Sequence, residues 1–83
     1  MIDVRHWVWK LNFADKTCFN EENKVLVKIE NDGQETRGRI LDMSCELYSK
    51  IARLMNGPTV VQQIVVAAEN EFLRNQNDWY WFA

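Results

Sequence analysis

Residues 44–77 run SCELYSKIARLMNGPTVVQQIVVAAENEFLRNQN. In the second half Val61, Ile64, Val65, Ala68 and Phe72 recur at steps of three, four and seven, which puts them on one stripe of a helix turning about 100° per residue. Leu47, Ile51, Leu54 and Met55 make a similar stripe in the first half. Asn56-Gly57-Pro58 separates the two, because glycine supplies a left-handed stop and proline cannot continue the hydrogen-bond ladder. The first helix is therefore expected to run to about Met55 and the second to open at Pro58 or Thr59. Ser44 caps the first, with Glu46 at the positive end of its dipole. The pairs Val60-Val61 and Val65-Val66 are mediocre helix formers, so packing must hold the second helix. Two amphipathic helices of this kind are a cover, and the preceding residues supply what is covered.

Those residues alternate. From Val4 to Phe13, Trp7, Trp9, Leu11 and Phe13 take every second position, the period of a strand with one buried face. Val25, Val27 and Ile29 repeat the pattern and end at Asn31-Asp32-Gly33-Gln34, where Asp-Gly signals a hairpin. A two-residue turn there would set Ile29 opposite Thr36, Val27 opposite Gly38 and Val25 opposite Ile40, and would place Glu30 against Glu35, a mildly repulsive pair that a longer loop with a bulge at Gly33 would relieve. Residues 14–23 hold either a short extra strand around Thr17, Cys18 and Phe19 or a wide loop. The fold class is α+β: an antiparallel sheet of three strands, or four with that extra one, followed by two C-terminal helices packed on one face.

At 83 residues the chain is one small domain, 1–83, with 79–83 as an interaction tail. A 47 % apolar share excludes disorder, and the net charge of −2 gives no bulk attraction to nucleic acid. Cys18 and Cys45 stand apart and His6 is the only histidine, so no metal ligand set exists and no cofactor motif accompanies it. With no signal-like start and no apolar run of about 20 residues, the expectation is a cytoplasmic protein with free thiols and no membrane contact.

Three features could carry function. The hairpin register puts Lys24, Lys28, Arg37 and Arg39 on the sheet face away from the helices, joined by Lys10, as a surface for an acidic partner or nucleic acid. Single-strand readers, however, place stacking aromatics on such a face, and here Trp7 and Trp9 point the other way. Cys45, in the first helical turn, could be an activated nucleophile, but His6 is the only base and lies on the opposite face by parity. The closing run Trp79, Tyr80, Trp81 and Phe82 exceeds what one small core can absorb; Trp79 continues the second helix's stripe and its neighbours do not.

The absence of a catalytic constellation favours a non-enzymatic protein-interaction module, an inhibitor or accessory protein, acting through the aromatic tail or the basic face and assembled as a two-fold homodimer. A nucleic-acid-binding module on the basic face is the alternative, and a cysteine-dependent enzyme comes third. In size and element order the chain is similar to small phage-encoded inhibitors, including some anti-CRISPR proteins; the likeness is one of layout and transfers no functional residue.

Overall fold

A computed structural model describes the backbone of residues 2–31 and 33–82 and the side chains of these up to Gln76. Four antiparallel strands, β1 (Lys10–Asn12), β2 (Thr17–Asn20), β3 (Val25–Asn31) and β4 (Thr36–Asp42), form a meander in the spatial order β1-β2-β3-β4. Two helices, α1 (Cys45–Ala52) and α2 (Gly57–Phe82), follow and cover one face. The α+β expectation holds, with the extra strand present as β2.

The first strand is much shorter than its alternation predicts. Asp3 accepts the backbone N–H of Arg5 at 3.0 Å and grips its guanidinium at 3.0 and 2.8 Å, which curls Val4–His6 into one 3-10 turn and buries Val4. The same fork holds the Asp3 carboxyl well below the usual carboxylate range. Trp7 and Trp9 then run extended and unpaired, their ring centroids 5.8 Å apart, and only Lys10–Asn12 joins the sheet. The inward parity survives: Trp9 is buried, and Trp7 and Leu11 pack against the core. Phe13 departs from it, lying 41 % exposed in the first turn with its ring on Phe72 of α2, 5.0 Å between centroids.

The β3–β4 hairpin is slipped by two residues from the expected register: Asn31 faces Thr36, Glu30 faces Arg37, Ile29 faces Gly38 and Val27 faces Ile40. A slip of two leaves every apolar side chain on its face, and it replaces the Glu30–Glu35 opposition by Glu30–Arg37. The loop is four residues long, with Asn31 Oδ1 accepting the Gly33 N–H at 2.8 Å and Gly33 at φ +93°. Farther along, Leu26 faces Asp42, so β4 carries an irregularity at Leu41, which is 48 % exposed.

Ser44 caps α1 as expected, its Oγ accepting the Leu47 N–H at 3.2 Å. The helix stops at Ala52, short of Met55, so Leu54 and Met55 fall in the turn and leave the buried stripe to Leu47 and Ile51. Gly57 is not the left-handed stop; it is the first residue of α2. A Cβ there would lie 2.7 Å from the Ile51 carbonyl oxygen, so close approach between helices is what calls for glycine. On α2, Val60, Ile64, Ala68 and Phe72 are buried over Cys18, Val25, Val27 and Ile29 of the sheet.

Candidate interaction surfaces

Cross-strand pairing places Lys10, Lys28, Arg37 and Arg39 on the outer face of the sheet, with Phe19 paired to Leu26 between them. Lys24 is not brought there: it ends the β2–β3 turn in the left-handed region, φ 54°. The face is also not a bare basic wall. Lys10 meets Glu21 at 2.7 Å, Arg37 meets Glu35 at 2.6 Å and Arg39 meets Glu30 at 3.0 Å, while the Lys28 ammonium donates to the Asp15 carbonyl at 2.6 Å. The Lys10 bond holds the Glu21 carboxyl below its usual range. Exposed pairs like these add only about 0–1 kcal/mol each to stability, and three of the four cations on this face stand beside a carboxylate.

The two thiols differ. Cys18 is fully buried, donates weakly to the Ala68 carbonyl at 3.5 Å, and is pushed up to about 12 by burial and then by the nearby Glu71 charge. Cys45 is exposed at the first position of α1. His6 is exposed on the N-terminal turn, 4.0 Å from Asp3, and among the described residues no hydrogen bond links it to Cys45. The structure thus assembles no nucleophile–base pair from them. Among the described residues no group of three or more His, Cys, Asp or Glu could hold a metal, and no helix is long and apolar enough to cross a membrane.

Residue positions the sequence did not single out form a more promising surface. The end of β4, α1 and the start of α2 enclose an open groove of about 640 Å³ whose walls include Leu41, Met43, Tyr48, Leu54, Pro58 and Val61. Tyr48 is 68 % exposed there. Leu41 and Tyr48 point outward as the chain neighbours of inward Ile40 and Leu47, and the early end of α1 leaves Leu54 in the turn beside them. Adjacent apolar residues Ile40-Leu41 and Leu47-Tyr48 were the available signal, since neighbours in a strand or helix cannot all face one core.

A second groove of about 770 Å³ lies between the N-terminal segment and the outer side of α2, lined by Trp7, Gln63 and Val66 together with the charged Asp3, Arg5 and Glu71. The backbone of α2 continues through Phe82. The side chains of Trp79, Tyr80, Trp81 and Phe82 lie outside the described residues.

Comparison of the chain with family models, with curated proteins and with solved structures returns no match.

Proposed function

We propose that this chain is a small non-enzymatic protein-interaction module, of the inhibitor or accessory-subunit kind, and that it receives an apolar segment of its partner in the groove between β4, α1 and α2. The observation that carries this reading is the contiguous exposure of Leu41, Tyr48 and Leu54 around that groove. Groove-binding segments use such anchors, an aromatic wall above all. Self-association as a two-fold homodimer belongs to the same reading, supported by the aromatic residues Trp79, Tyr80, Trp81 and Phe82 beyond the last described core residue, Phe72. The nucleic-acid alternative loses support from the carboxylate partners of Lys10, Arg37 and Arg39.

The test is a photocrosslinker, p-benzoylphenylalanine, in place of Tyr48 in the protein expressed in its own cells. One discrete adduct is expected, lost when Leu41→Asp is added and not formed from the same probe at Lys16. No adduct from position 48, or one indifferent to Leu41→Asp, would remove the groove as the contact surface.

A further inference from the structure

Asn56 and Gly57 lie where α1 gives way to α2, and nowhere else in the chain does glycine follow asparagine. The pair has a chemistry of its own. Asparagine is a labile residue because the backbone nitrogen of the next residue can attack its amide carbon, and a following glycine, with no Cβ, leaves that approach unobstructed. The fold fixes the glycine. A Cβ at position 57 would lie 2.7 Å from the Ile51 carbonyl oxygen, so the labile pair cannot be relieved there without moving α1 from α2.

Asn56 is exposed. Among the asparagines with described side chains, Asn12, Asn20, Asn23, Asn31 and Asn75 are tied by hydrogen bonds, whereas none holds the Asn56 amide. It stands in the N-cap position of α2 without capping, so its Cγ is free to turn toward the chain. Gly57 is buried, but its nitrogen has to reach only the side chain next to it. As the first residue of α2 it finds no acceptor inside the helix, and its bond to the Leu54 carbonyl is 3.4 Å, longer than usual. The remaining restraint is the Asn56 carbonyl, which accepts the Val60 N–H at 3.1 Å. Giving up one such bond costs about a tenfold factor in population.

We infer that Asn56 is a site of spontaneous deamidation, in a reaction that consumes only water. The Gly57 nitrogen loses its proton and bonds to Asn56 Cγ, while the side-chain nitrogen takes up a proton and leaves as ammonia. Water then opens the cyclic imide. Cleavage between nitrogen and Cγ yields aspartate; cleavage at the Asn56 main-chain carbonyl yields isoaspartate, in which the chain runs through the former side chain. Nothing is oxidised or reduced. Both products carry a carboxylate where an amide stood, at the positive end of the α2 dipole. With time the chain acquires a second form, one charge more negative than its −2. The site borders the groove whose wall includes Gly57 and Pro58, but the reaction needs no partner and does not depend on the groove reading.

The test holds the purified whole chain in warm, mildly alkaline buffer and follows it by isoelectric focusing, with fragmentation mass spectrometry to place the change. A more acidic band should grow in, faster at higher pH, with the amide-to-acid mass change at position 56 and none at Asn70, which is equally exposed but precedes Glu71. The rate should lie within about tenfold of that of the same chain unfolded in urea. Asn56→Ser keeps a capping residue and should abolish the band while the far-ultraviolet signal persists; should that variant fold poorly, the mass placement in the wild type decides by itself. No change at position 56, conversion of Asn70 first, or a band that survives Asn56→Ser overturns the inference. So does a native rate more than about tenfold below the unfolded one, since the fold would then shield the pair.

Discussion

The Glu69 carboxylate on α2 accepts the backbone N–H of Gly38 on β4 at 2.6 Å. β4 is an edge strand, and an unpaired edge N–H invites pairing with another chain; Glu69 occupies it. The same spot explains the glycine. A Cβ at position 38 would lie 2.8 Å from Val65 Cγ1 and 3.1 Å from the Glu69 oxygen, so the helix can sit this low on the strand only above a residue without a side chain.

Gly38→Ala should therefore destabilise by about 1–3 kcal/mol through overpacking, and Glu69→Ala by about 1 kcal/mol after allowance for its partial exposure. The two should not add, since both release the same contact. Urea midpoints of the two single variants and the double variant measure this; additive losses would mean that the hydrogen bond and the close approach are independent.

Asn20, only 2 % exposed, ties the Val8 backbone to the β2–β3 turn: its Nδ2 donates to the Val8 carbonyl at 3.0 Å, and its Oδ1 accepts the Asn23 backbone N–H at 2.9 Å and the Asn23 side-chain amide at 3.1 Å. Asn20→Leu leaves those groups without partners and should cost about 1–3 kcal/mol. Amide exchange at Asn23 should speed up more than at Val27, and equal acceleration at both would show global loosening instead.

Cys18 and Cys45 should be separable by a thiol reagent. Native protein should release colour for one cysteine at once, and unfolded protein for two. Burial also ties Cys18 to pH. An unfolded-chain thiol ionises near 9.0 and the native one at about 12, so the contribution is whole below pH 9 and is lost as pH climbs from 9 toward 12, where the unfolded chain sheds its proton first. The unfolding midpoint of the wild type should fall more steeply above pH 9 than that of Cys18→Ala; parallel curves would contradict this.

Lys16 and Lys24 each close a four-residue hairpin turn at φ 56° and 54°. A left-handed residue with a Cβ carries a strain of about 1–2 kcal/mol, which glycine escapes at some entropic cost. Lys24→Gly should raise stability by up to about 1 kcal/mol, read as a higher melting temperature; a lower one would show that the lysine side chain contributes more than its backbone costs.

Deleting residues 79–83 should lower the apparent mass in solution while the far-ultraviolet spectrum keeps its sheet and helix features, because Phe72 already ends the described core. Unfolding of the truncated chain would make the tail part of the core.

Periodicity made the layout readable: Val25, Val27 and Ile29 inward, Ser44 at a cap, Ile64, Ala68 and Phe72 over the sheet. What it missed was decided by single contacts. Asp3 bends the chain where the alternation of Trp7 and Trp9 asks for a strand. Asn20 is turn-forming in type yet buried in fact, since its partners come from Val8 and Asn23. The outer cations were placed by parity, but their neutralisation depends on diagonal geometry such as Arg39 with Glu30, which a slip of two residues creates. The exposure of Leu41 and Tyr48 was legible in the adjacent apolar pairs Ile40-Leu41 and Leu47-Tyr48, whereas the third anchor, Leu54, depends on α1 ending three residues early, which a repeat does not show.

Every strand-to-strand connection spans four residues, whereas the covering helix reaches its last described core position, Phe72, thirty residues after β4 ends at Asp42. Hairpins close within about 1–10 μs, so the sheet can form before the distant α2 docks. A chain at that stage holds Val25, Val27 and Ile29 bare and the Gly38 edge open, and the docking of α2 is what ends that exposure.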